Sequence, residues 1–175
     1  HGNRFQLNFR NHRKIVIVDG KVTWVGGHNV GDEYLGLDPK FGHWRDTHMR
    51  VEGPAAVALQ VSFVEDWFWA TDNEILDLTW TPTPSKTGNV QVNMLPTSPA
   101  DTLESATLMF LHAINSAKER IWIATPYFVP DDAIVYALQL AGLRGVDVRI
   151  LIPDKADQLA ISLAAYTYFD PVSYT

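Results

Sequence analysis

The chain has 175 residues and a mass of 19.7 kDa, the size of one large domain or two small ones. Hydrophobic residues at 46 % and charged residues at 19 %, with a mean hydropathy of -0.07, exclude disordered, collagen-like and coiled-coil chains. Cysteine is absent, which removes disulfides and thiol chemistry and leaves only histidine and carboxylates to hold a zinc ion.

The net charge of -6 is unevenly spread: residues 1–21 carry Arg4, Arg10, Arg13, Lys14 and Lys21 against Asp19 alone, a balance of +4, so the remainder holds -10. A basic island on an acidic chain points to a local anion site. A nucleic-acid partner would need Lys and Arg along an extended track, so none is expected. Apolar stretches without charge, such as 133–143 and 158–169, fall short of the ~18 residues that a bilayer span needs, so no transmembrane segment is expected in this chain.

In chain order, Arg13–Val18 and Lys21–Val25 are rich in β-branched residues and flank Asp19-Gly20, a strong signal for a hairpin. A third strand is expected over His43–Val51. Ala55–Ala70 then repeats apolar residues at helical spacing, Val57, Val61, Val64 and Phe68, and this helix is expected to cover the sheet. Prolines crowd 81–101 around a short alternating segment, so a linker is placed at 81–89, closing a first domain at 1–80 and opening a second at 90–175.

The second domain reads as strand Val90–Leu95, helix Thr102–Ala117, strand Arg120–Thr125, helix Asp131–Leu143 and strand Asp147–Ile152, a βαβαβ order with parallel strands. Asp101 with Glu104 and the pair Asp131 and Asp132 supply helix starts, and Gly142 and Gly145 mark an end. The fold class is α/β.

The stretch NHRKIVIVDGKVTWVGGHN, residues 11–29, carries the chemistry. Alternate strand residues share a face, so His12 and Lys14 project together. His12 suits a nucleophile or proton carrier near neutral pH, and Lys14 suits the anionic oxygens of a phosphoryl group. Asp19 at the hairpin turn fixes strand register. Gly26 and Gly27 remove bulk where a substrate must approach the backbone, and Asn29 offers an amide donor to the same phosphate.

These residues resemble the His-x-Lys-x4-Asp-x6-Gly-Gly/Ser-x-Asn motif of the phospholipase D superfamily, met by His12, Lys14, Asp19, Gly26, Gly27 and Asn29. Gly27 stands where many members have serine, so a hydroxyl contact to phosphate is lost here. Asn11-His12-Arg13-Lys14, Trp44-Arg45-Asp46-Thr47-His48 before Val51-Glu52-Gly53-Pro54, and Thr125-Pro126-Tyr127-Phe128-Val129-Pro130 look like bacterial cardiolipin synthases. The resemblance implies a phospholipase D-like fold: a mixed sheet with flanking helices, in two pseudo-symmetric halves that are both incomplete here. It also implies catalysis by His12, Lys14 and Asp19, substrate binding by Asn29, Gly26 and Gly27, and orientation of the histidine by Asp46. Tyr127 and Phe128, after a strand end, are candidate pocket residues.

The activity implied is phosphatidyl transfer through a phosphohistidine, making cardiolipin from two phosphatidylglycerol molecules without cofactor or metal. The partners implied are a phospholipid substrate and, in the full-length protein, the bacterial cell membrane. In that family a second histidine motif completes the site. No second His-x-Lys pair follows residue 31, so the chain is read as a piece of a longer protein whose second half is required for activity. Two alternatives stand: another phospholipase D-type phosphodiesterase or nuclease, which uses the same residues with a different acceptor, and a non-catalytic phospholipid-binding module, which would tolerate loss of His12.

Other features have plainer readings. Asp46 and His48 on one strand face, with His43, make a weak metal set without a third strong ligand. His28 reads as filler in a glycine-rich turn, and His112 as a helix residue at the core edge. For Trp67, Phe68, Trp69 and Trp80, core packing is favoured over contact with lipid.

Overall fold

The computed structural model describes residues 11–85, 87–98 and 101–153. They fall into two compact units, residues 1–99 and 100–175.

In the first unit, β1 (Lys14–Val18), β2 (Val22–Gly26) and β3 (His48–Glu52) form an antiparallel sheet in the order β1-β2-β3. The hairpin turns at Asp19 and Gly20, with φ of 54° and 63°, and Lys21 N–H donates to the Val18 carbonyl at 3.0 Å. Positive φ at both central residues is what a type I′ turn requires, and Asp-Gly adopts it at little cost. A side chain at position 20 would also meet the Thr79 carbonyl at 2.4 Å. That carbonyl in turn accepts from Gln60 Nε2 at 2.9 Å, so a buried glutamine fastens the segment against which the turn rests.

Helix α1 (Pro54–Thr71) packs on all three strands. It buries Ala56, Leu59, Gln60 and Ser62, and the wholly buried Thr23 donates to the Ala56 carbonyl at 3.4 Å. The expected stripe is not the buried one: Val57 and Val64 are half-buried, and Val61 and Phe68 are exposed. The helix is apolar around most of its girth, so periodicity did not select a face. The buried face instead mixes the small Ala56 and Ser62 with Leu59 and Gln60. Trp67, Phe68, Trp69 and Trp80, expected in the core, are exposed in this unit, with Trp69 at 85 %.

β3 begins at His48, five residues later than expected. Gly36, Pro39 and Gly42 interrupt the approach, and Thr47 N–H is given to the Asp46 carboxylate at 2.7 Å instead of to a neighbouring strand. Val90–Leu95 forms no strand. Val90 is 81 % exposed, so the alternation there buries no face.

The second unit is a βαβ with one added helix. α2 (Ser105–Ser116) is followed by β4 (Arg120–Ala124), α3 (Asp132–Leu143) and β5 (Asp147–Leu151), with β4 and β5 parallel. α2 starts three residues later than expected, at Ser105, with Glu104 at its N-cap and no side-chain cap. Asp131 caps α3 as expected, its carboxylate accepting from Ile134 N–H at 2.9 Å. Ile114, Phe128, Ala137, Leu138, Ala141 and Val146 form an apolar core, joined by the inward residues of β4 and β5. Arg144 donates to the carbonyls of Ile114, Asn115 and Ala117, closing the end of α2.

Candidate active site

Antiparallel pairing decides where the motif residues meet. Lys14 pairs with Gly26 and Gly26 with His48, so the start of β1, the end of β2 and the start of β3 share one end of the sheet. His12 lies two residues before β1, Gly27 to Asn29 follow β2, and Asp46 lies two residues before β3. All of them leave the sheet at that end. The sheet face bearing Ile17, Thr23 and Val51 lies under α1, so Lys14, Val16, Trp24 and Arg50 occupy the open face.

His12 is exposed, and its backbone carbonyl accepts from Lys14 Nζ at 2.6 Å. The ammonium therefore lies beside the backbone of the histidine it would assist. Between them, Arg13 points the other way: it forms an ion pair with Asp66 of α1 and donates to the Thr97 carbonyl at 2.7 Å. The alternation thus separates a cation paired with Asp66 from one whose ammonium donates to the His12 carbonyl.

The two glycines make room for a neighbouring segment of the chain. A Cβ at Gly26 would lie 2.3 Å from the Thr47 carbonyl oxygen and 2.9 Å from His48 Nδ1, and one at Gly27 would lie 2.2 Å from Asp46 Oδ1. A side chain at either position would meet the segment Asp46–His48, which leads into β3. The glycine pair lets Asp46 and His48 cross close over β2. Asp46 accepts from the N–H of Thr47 and makes no hydrogen bond to His12 among the described residues.

Asn29 Nδ2 donates to the Tyr34 hydroxyl. Tyr34 sits in a short 3-10 turn, Asp32–Leu35, with its ring edge-on to Trp44 at 5.0 Å and to His28 at 5.6 Å. His28, read as filler, also meets the His48 ring at 6.2 Å. The sequence by itself assigns no role to Tyr34, and none of their own to Arg13 and Thr47. The spacing of Gly31 and Gly36 around Asp32–Leu35 was the available sign that Tyr34 is returned toward Asn29.

Asp19 is at the opposite end of the hairpin, roughly 15 Å along the strand from Lys14, so its place is the turn and not the cluster. Tyr127 and Phe128 lie in the second unit. Tyr127 is exposed, whereas Phe128, at 6 % exposure, is part of the apolar core. His112 is exposed on α2. No three His, Asp or Glu side chains converge as a metal site among the described residues. The chain segments that meet at this sheet end carry the His12 imidazole, the Lys14 ammonium and the Asn29 amide.

Residues 110–172 match the family described as cardiolipin synthase, PLD-like domain, so the chain carries part of a PLD-like α/β domain. The match falls outside the motif at 12–29, which lies in the other unit. Over almost its whole length the chain is homologous to the cardiolipin synthases. It is 53 % identical over 171 residues to cardiolipin synthase A of Pseudomonas syringae pv. syringae (strain B728a), covering 97 % of this chain and 35 % of that protein. It is 53 % identical over 163 residues to cardiolipin synthase A of Pseudomonas putida (strain GB-1), covering 93 % and 34 %. For cardiolipin synthase A of Pseudomonas aeruginosa (strain LESB58) the identity is 52 % over 166 residues, covering 95 % and 34 %. The chain spans about a third of the length of these curated relatives.

Proposed function

We propose that the protein makes cardiolipin by transferring a phosphatidyl group from one phosphatidylglycerol to another. The observation that supports this reading is the shared sheet end: pairing of Lys14, Gly26 and His48 brings the segments that carry His12, Lys14 and Asn29 to one end of the sheet. The relatives named cardiolipin synthase A supply the substrate class.

His12 acts as nucleophile or as its acid partner. In the first step an imidazole nitrogen forms a bond to phosphorus, the bond from phosphorus to the glycerol oxygen breaks, and a second acid protonates the departing alkoxide. In the second step the hydroxyl of another phosphatidylglycerol attacks phosphorus, gives its proton to that same group, and frees the histidine. Lys14 and Asn29 hold the charged phosphoryl oxygens throughout, Gly26 and Gly27 admit the residues that flank them, Asp46 orients His12, and Asp19 braces the hairpin. The second acid comes from a further histidine motif, since residues 31–175 contain no other His-x-Lys pair. The two units, which divide at residue 99 and not at the linker expected over 81–89, are parts of two pseudo-symmetric halves, and the enzyme works at a bacterial membrane surface. No helix among the described residues is long and apolar enough to cross a membrane.

The test is cardiolipin formation from phosphatidylglycerol vesicles by the full-length protein carrying this segment. His12→Ala removes turnover while circular dichroism stays unchanged. More than a few per cent of the original transfer in a folded variant overturns the role of His12. Hydrolysis of DNA in place of lipid transfer overturns the substrate class.

A further inference from the structure

We propose that Tyr34 is a positioning residue for Asn29, locking the amide that binds the phosphoryl group; this rests on the reading of Asn29 as a phosphate donor. Asn29 follows β2 in irregular chain and is half-buried, a setting in which an asparagine has several rotamers open to it. Its Nδ2 donates to the Tyr34 hydroxyl. An amide nitrogen carries two N–H bonds, so the one given to Tyr34 leaves a second whose direction is then fixed.

The tyrosine is itself held. The 3-10 turn is closed by Tyr34 N–H to the Gly31 carbonyl at 3.2 Å and Leu37 N–H to the Asp32 carbonyl at 3.0 Å, and the left-handed Gly36 ends it. Trp44 and His28 meet the ring edge-on. Backbone and ring contacts therefore place the hydroxyl, and the hydroxyl places the amide. A donor already aimed when charge develops on the phosphoryl oxygens needs no reorganisation during the step, which is where such a donor contributes most. Because the contact is made before substrate arrives and does not touch it, its loss slows the chemical step and leaves ground-state binding little changed.

Tyr34→Phe removes the hydroxyl and keeps the ring contacts. In the full-length protein, with phosphatidylglycerol vesicles as substrate, kcat falls roughly 3- to 10-fold, the range expected for one lost hydrogen bond, while KM and the thermal midpoint stay unchanged. Asn29→Ala lowers kcat by about 10²-fold, as removal of one charge-stabilising donor does. Adding Tyr34→Phe to Asn29→Ala then produces no further loss. A slow Asn29→Ala with a normal Tyr34→Phe, or the same Tyr34→Phe loss in both backgrounds, overturns the positioning role alone. A lowered thermal midpoint with kcat restored on cooling assigns Tyr34 to the scaffold and overturns it too. If Asn29→Ala transfers at the original rate, the phosphate-donor reading fails first and the role of Tyr34 falls with it.

Discussion

The two units hide different things. In the second, every residue of the buried cluster is apolar, with Leu138 at 1 % exposure between α2 and the strands. In the first, Thr23, Gln60 and Ser62 are as buried as Ala56 and Leu59, and directed contacts do much of the work: Gln60 to Thr79, Thr23 to Ala56, Arg13 to Asp66 and Thr97. Apolar packing has no direction, whereas hydrogen bonds fix angles as well as distances. The contrast fits a division of labour in which one unit is held together by burial and the other holds side chains at set positions. It also says which kind of substitution each unit should feel.

Leu138→Ala is the harshest test of the second unit, expected to cost about 2–5 kcal/mol through lost burial and the cavity left behind. Val16→Ala, on the open face of the first unit, should cost far less, and urea unfolding of both variants compares them directly. Equal losses would erase the distinction between the units. Lys14→Ala should leave unfolding untouched and lower cardiolipin formation by about 10²-fold, since among the described residues its ammonium donates to the His12 carbonyl of the same strand end. A Lys14 variant that unfolds early would instead make the motif part of the scaffold.

The glycine pair sharpens the comparison within the first unit. Alanine at Gly26 meets the backbone of Thr47 and His48, so β3 must move, at about 1–3 kcal/mol. Alanine at Gly27 meets only the tip of the exposed Asp46 side chain, which can swing away. Gly27→Ala should therefore unfold nearly as the parent does and still lose transfer, because Asp46 is displaced. Thermal melts beside transfer rates distinguish the two positions.

The smallest effect belongs to Asp147 on the exposed face of β5. Its hydrogen bond from Arg149 at 2.9 Å, then that from Trp122 at 3.1 Å, hold its carboxyl below the ordinary carboxylate value. A lowered folded-state value stabilises above the unfolded pKa, and the contribution is lost as pH falls through the folded one. Asp147→Asn should thus melt slightly below the parent at neutral pH, and the gap should close in acid. A gap that persists in acid would show that charge is not its cause.

The hairpin was legible because Asp19-Gly20 has few alternatives, and α3 because Asp131 caps an apolar run. The start of β3 and the buried face of α1 were not. Strand ends depend on which partner takes the last amide, here the Asp46 carboxylate taking Thr47, and a helix apolar on every side carries no directional signal. Val90–Leu95 shows the converse, since alternation makes a strand only where another edge pairs with it.

Composition and spacing alone determined an α/β chain and singled out His12, Lys14 and Asn29 as candidate partners of an anion, because residue chemistry and the pitch of a strand are local properties. Only the tertiary structure decided that Asp46 and His48 lie over Gly27 and Gly26, that Tyr34 holds Asn29, that Asp19 stands at the far end of the hairpin, and that Phe128 is core. Those contacts join residues from separate segments or depend on which face and which end of the sheet a segment reaches, and register between strands is settled only when they pair.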